Sequence, residues 1–254
     1  MCLIAFAWRQ AGQRLLLLAN RDEFHARPTQ SAAFWDTTGH PELLAGKDLE
    51  AGGTWLGVTR QGRFAALTNI RSPGARAGLR SRGELVAGFL ESNVTPQAYL
   101  STLAGHCEQY GGFNLITGDR DQLWFLHSLD RQPRPLTPGI YGLSNASLDT
   151  PWPKLAALKT RLRETPAEDT EQLLTLLADP HRYPDEQLPQ TGISPDWERA
   201  LSAAFIVGEN YGTRASTLLR ITDADHVEFI ERGFGPNAAP LGTVRYEFDL
   251  EDWS

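Results

Sequence analysis

The residues best placed to do chemistry stand near the start of the chain. Cys2 opens an apolar run, and Asn20-Arg21-Asp22-Glu23 closes a second one. If Met1 is removed, Cys2 carries a thiol and a free α-amine on one residue. Their ordinary pKa values, about 8.5 and about 7.7 to 8.0, both lie close to neutrality. The amine can take the thiol proton, directly or through water, as terminal amines do for other N-terminal nucleophiles. A guanidinium nearby favours the thiolate, the reactive form. A carboxylate nearby can hold the amine. Cysteine is small enough to permit removal of the initiator methionine. The same residues also read as a small buried apolar side chain and a solvated turn, and local sequence leaves both open.

A hairpin is what must bring these groups together. Leu3 to Trp8 and Leu15 to Ala19 are apolar runs separated by a polar, Gly-containing turn. Pairing them places Cys2 beside Asn20, Arg21 and Asp22. A second hairpin is expected from Gly52-Gly53-Thr54-Trp55-Leu56-Gly57-Val58 and Arg63 to Asn69, with Gly52 and Gly53 allowing positive φ or close backbone approach. A third spans Phe113–Thr117 and Gln122–Leu126. Gly139 to Asn145 is a further strand. Ala203–Val207, Ser216–Ile221, Val227–Glu231 and Val244–Phe248 read as the closing strands.

Helices are expected over Arg82–Ser92, from Pro96 with Thr95 as N-cap, and over Pro153–Arg163. Another is expected from the capping-box spacing Thr165-x-x-Glu168, with Leu173, Leu174 and Leu177 inward. Residues 179–196 hold four prolines and read as a long irregular loop, either a lid or a surface excursion. With no repeat or linker, the pattern predicts one domain over 1–254, of α+β type with stacked antiparallel sheets.

Composition narrows the function classes. A net charge of -7 with no dense basic tract argues against a general nucleic-acid binder. Arg71, Arg76, Arg80 and Arg82 are spread among Gly and Ala; they suit an anionic ligand or a solvated loop. Cys2 and Cys107 make no disulfide framework, and Cys107 reads as structural. No basic n-region precedes the first apolar run, and no stretch nears the roughly 20 apolar residues a spanning helix needs. A cytoplasmic location without an integral membrane segment is the expectation. The six histidines are dispersed, so no metal site is expected. Phosphate-loop and serine-elbow motifs are absent.

Asn69, Asn145 and Arg214 fall at strand ends, where a scaffold commonly positions functional groups. Asparagine amides there can donate to a developing oxyanion; they are also ordinary turn residues.

Cys2, Ala19-Asn20-Arg21-Asp22-Glu23-Phe24, Gly52-Gly53-Thr54-Trp55-Leu56-Gly57, Tyr141-Gly142-Leu143-Ser144-Asn145, Thr150-Pro151-Trp152-Pro153-Lys154 and Tyr211-Gly212-Thr213-Arg214 occur in one order along the chain. This set resembles the Asn-Arg-Asp-Glu family, also called the transport and Golgi organisation family. That family is grouped with N-terminal-nucleophile hydrolases, so the resemblance implies a four-layer αββα sandwich. By similarity to the cysteine branch that cleaves bile-salt and penicillin amides, Cys2 is the expected nucleophile. Arg21 and Asp22 are its expected partners and Asn145 an oxyanion donor, with Asn69 and Arg214 as further candidates. That branch spaces its arginine and aspartate by three, whereas Arg21 and Asp22 adjoin, so either Asn20 or Arg21 can face the sulfur. The family's link to haem movement and to lipid or acyl-coenzyme A metabolism implies a second role, a non-catalytic carrier of haem, a lipid or an acyl-coenzyme A in the same cleft, without resident cofactor. Partners are then a small-molecule substrate or ligand.

Overall fold

A computed structural model describes residues 2–36, 39–71 and 78–252; Met1 and Arg76, named above, lie outside them. The first hairpin pairs β1 (Cys2–Gln10) with β2 (Gln13–Phe24). Ala11 and Gly12 form its turn, both at positive φ, the conformation that matches the strand twist.

Among the described residues the strands form two antiparallel sheets. The first runs β10-β1-β2-β11-β12-β13, adding β10 (Gly139–Leu143), β11 (Tyr211–Thr222), β12 (His226–Phe234) and β13 (Pro240–Asp249). The second follows sequence order, from β3 (Thr29–Trp35) and β4 (His40–Asp48) through β5 (Leu56–Thr59), β6 (Phe64–Asn69), β7 (Phe113–Gly118) and β8 (Leu123–His127) to β9 (Arg134–Pro135).

Alternation along the strands builds the layers. Ile4, Phe6 and Trp8 of β1, with Leu15 and Leu17 of β2, meet Phe64, Ile116 and Phe125 of the opposite sheet. Leu3 and Ala5, with Leu16 and Leu18, turn the other way. They pack on Leu155, Leu158 and Leu162 of α3 (Pro153–Glu164) and Leu173 and Leu174 of α4 (Thr170–Leu176). The second sheet has the mirror arrangement. Leu43, Leu67 and Leu115 cover Leu85, Val86 and Phe89 of α1 (Gly83–Leu90) and Leu100 of α2 (Pro96–Ala104). Helix, sheet, sheet and helix are thus stacked in four layers. β1 is buried from both sides, which is why its sequence reads as an unbroken apolar run.

Thr95 caps α2 as its type predicts, accepting the Ala98 N–H at 3.2 Å. Gly53 approaches α1 so closely that a Cβ there would lie 2.3 Å from the Gly83 carbonyl carbon, and Gly52 has φ +80. Buried Cys107 donates its thiol to the Leu103 carbonyl at 3.5 Å, a packing role.

Two expected elements are corrected. Ala203–Val207 is not a strand. Its backbone bonds are scattered instead of laddered: Lys154 Nζ donates to the Leu201 and Ala203 carbonyls, Asn20 Nδ2 to the Ala204 carbonyl, Phe205 N–H to the Asp179 carbonyl, and Ile206 N–H to Thr213 Oγ1. β11 already occupies the place beside β2. The Thr165-x-x-Glu168 capping box does not form either. Thr165 ends α3, its hydroxyl donating to the Arg161 carbonyl, and Asp169 caps α4 by accepting the Gln172 N–H. Residues 179–196 are irregular save a helical turn at Asp185–Gln187 and the start of α5 (Pro195–Ala200). No helix among the described residues is long and apolar enough to cross a membrane.

Candidate active site

The β1–β2 register puts Cys2 opposite Arg21 and Leu3 opposite Asn20. Directly opposed residues project from the same face of a sheet. Arg21 therefore shares the face of the sulfur, and Asn20 points to the helices. There Asn20 donates to the Leu177 and Ala204 carbonyls, each at 2.8 Å, and accepts from Ser216 Oγ at 2.6 Å.

Cys2 is 8% exposed and lines a cavity of about 690 Å³ with Arg21, Asp22, Trp55, Asn69 and Arg82. Burial pushes its thiol up. Arg21 sits over Trp55, its guanidinium carbon 4.3 Å from the ring centre. It donates to Thr29 Oγ1 at 3.2 Å and stands 3.5 Å from Asp48 Oδ2. Asp48 also takes Arg27 at 2.7 Å and accepts the Glu50 and Ala51 N–H groups. Burial raises the Asp48 carboxyl, but these donors outweigh it and hold the group below the usual carboxylate range. The Asp48 brace is invisible in sequence, because nothing local marks β4's end as facing β2.

Asp22 pairs with Thr213 of β11, whose hydroxyl donates to its Oδ1 at 2.7 Å. The carboxyl is 1% exposed. Burial pushes it up, and Lys154 is the principal cation opposing that push. Lys154 is itself buried among α3, β2 and the 201–206 segment. Burial depresses its ammonium to about 8, with Asp22 pulling back. Its place in α3's apolar-faced first turn was the available signal, since a lysine there is either solvated or paired.

Asn69 reaches the cavity wall at the end of β6. Among the described residues that line it, Asn145 and Arg214 do not appear. Asn145 Nδ2 donates to the Asn69 carbonyl at 2.8 Å, so it braces that strand end. Arg214 is the extra residue of a bulge in β11, between Thr213 and Ala215. Its Nη1 donates to the carbonyls of Phe24, His25 and Arg27 and pins the turn after β2. No residue of 179–196 lines the cavity.

Glu231 lies between the sheets behind Arg21 and accepts the Ala32 N–H at 2.8 Å. Burial pushes it up to about 7, with the Ala32 bond and Arg21 pulling down. An acid raised above its unfolded value of about 4.3 leaves the native state holding the extra proton between those pH values. Stability then falls as pH rises from about 4.3 to about 7, by roughly 3–4 kcal/mol. Glu231→Gln is expected to flatten that part of the urea-stability profile. An unchanged slope rules the assignment out.

A family model described as Transport and Golgi organisation 2 matches residues 1–236. The Transport and Golgi organization protein 2 homolog of Bos taurus is 37% identical over 278 aligned residues, covering 99% of this chain and 100% of that protein. The Drosophila melanogaster Transport and Golgi organization protein 2 is 28% identical, with 91% of each chain covered. Among solved structures, the C2A mutant of the conjugated bile acid hydrolase from Clostridium perfringens superposes with a TM-score of 0.51. Its identity is 6%, over 98% of this chain and 92% of that one. The Caenorhabditis elegans N-acylethanolamine-hydrolyzing acid amidase ortholog gives 0.49 at 13% identity, over 70% and 86%. The fold is therefore the αββα sandwich of N-terminal-nucleophile hydrolases. Matched along almost its full length, the chain belongs to the Transport and Golgi organisation 2 family.

Proposed function

We propose that the protein is an N-terminal cysteine hydrolase acting on a non-peptide amide bond. One observation carries this reading: the hairpin register sets Cys2 beside Arg21 on a cavity wall, with Asp22 one residue on. Loss of Met1 frees the Cys2 α-amine, which takes the thiol proton. Arg21 favours the thiolate and Asp22 anchors the resulting ammonium. The sulfur attacks the amide carbon. The C–N bond then breaks, and the amine leaves with the proton held by the α-ammonium. Water, deprotonated by the same amine, cleaves the thioester to a carboxylic acid and restores the thiol. The Asn69 amide, braced through its backbone by Asn145, is the donor available to the oxyanion.

The polar wall suits such a substrate better than an apolar cargo such as haem, for which Cys2 would serve as an axial thiolate.

Intact mass before and after exposure to an activated ester tests the proposal. The expected result is loss of one methionine residue, then a single acyl adduct on the Cys2 peptide that decays in water. Retained Met1, or acylation confined to Cys107, sinks it.

A further inference from the structure

Of the dispersed arginines of the 71–82 stretch, Arg80 and Arg82 line the cavity. Four arginines stand on its wall: Arg21, Arg27, Arg80 and Arg82. Three are matched by acids. Arg21 and Arg27 share Asp48, Arg27 also takes Glu50, and Arg80 takes Glu84. Among the described residues Arg82 has no carboxylate within ion-pair distance. Its Nη1 makes one long hydrogen bond, 3.3 Å to the Gly112 carbonyl. Glu23 shares the wall and accepts the Phe24 N–H with Oε1.

The place Arg82 occupies is unfavourable for local stability. It is the N-cap of α1 and makes no side-chain capping bond. Ser, Thr, Asp or Asn would cap that end, and a cation there opposes the positive end of the helix dipole. The side chain is also half-buried. Desolvation depresses its guanidinium, and the Cys2 sulfur, then Glu23, are the anionic groups that most offset this. An unmatched cation that breaks the local rules, facing a nucleophile across a cavity, is where function is expected to override stability.

We infer that Arg82 determines substrate specificity by receiving a carboxylate, or an equivalent single anion, close to the bond that Cys2 attacks. The substrate class is then anionic acyl amides, not neutral ones. This rests on the reading of Cys2 as nucleophile. The planar guanidinium offers parallel N–H groups that match a carboxylate fork, where a neutral amide or ester presents a single acceptor.

Iodoacetate and iodoacetamide provide the test. The two reagents match in size and leaving group and differ in charge. Each forms an S–C bond at the thiolate and expels iodide. Rates at Cys2 are read from its peptide mass in the full-length protein. Arg82→Gln is expected to slow iodoacetate about tenfold more than iodoacetamide, the size of one charge-assisted hydrogen bond, on top of a smaller loss common to both reagents as the thiolate loses a nearby cation. Arg82→Lys keeps most of the iodoacetate rate. If both reagents slow by the same factor, Arg82 acts only on the thiolate or on folding, and the inference falls. It falls equally if neither rate moves. The readout is alkylation, so absent amide turnover would count against the hydrolase reading and leave this result standing by itself.

Discussion

Cys2→Ala is expected to lower amide turnover by roughly three orders of magnitude or more, the scale seen when a covalent nucleophile is removed. The fold should survive, because the change removes one small buried atom and costs about 1 kcal/mol. Cys2→Ser tests the same point more finely. It keeps the α-amine and the geometry but replaces an easily ionised thiol with a hydroxyl. Single-turnover hydrolysis on protein of verified mass and melting temperature is the measurement. Turnover by Cys2→Ala within a few-fold of wild type would leave the cavity without its proposed nucleophile.

Lys154→Met should produce the largest stability loss. Lys154 is the main cation in the field of Asp22, and Asp22 the main anion in the field of Lys154. Lys154 acts on Asp22 through its field, and removing a buried charge that offsets another is expected to cost about 1–3 kcal/mol. Here the Leu201 and Ala203 carbonyls also lose their donor. Asp22→Asn combined with Lys154→Met should recover part of the loss, because no charge is then stranded. The pH dependence has a definite sign. Burial holds the folded-state ammonium at about 8, below its unfolded value of about 10.4. Between those values the unfolded chain binds the extra proton, so wild-type stability rises with pH there. That rise should be missing from Lys154→Met. Urea titrations from pH 7 to 10 decide it. A single-variant loss under about 1 kcal/mol, with strictly additive changes in the double variant, would remove the coupling.

Strong local signals survived folding. The Leu3–Trp8 and Leu15–Ala19 runs pair as expected, because the two-residue turn at Ala11-Gly12 fixes their register. Thr95-Pro96 started a helix for reasons contained in those two residues. Signals that depend on distant partners were misread. Ala203–Val207 has strand-like composition, yet Lys154 and Asn20, from far along the chain, and nearby Thr213 supply hydrogen bonds to it. Thr165 looked like a helix start and ended the preceding helix. In the site, the adjacency of Arg21 and Asp22 was visible. That they project to opposite faces follows from strand alternation, but which face holds the sulfur required the register. Asn145 and Arg214 stand at strand ends. Their amide and guanidinium turned out to hold backbone carbonyls. Lys154 and Asp48 carry no decisive local signal, because their partners belong to other elements.

The place of β11 between β2 and β12 bears on synthesis at the ribosome. Asp22 meets its hydroxyl donor Thr213 across a sequence separation of 191 residues. β1 and β2 emerge early, but β2 has no neighbour on its far side until residues 211–222 are made. For most of translation a long apolar ribbon stays half-paired, and pairing of such long range is slow. The nascent chain should therefore draw on holdase chaperones until its last quarter emerges, and release truncated before β11 should leave an aggregating product with no assembled site.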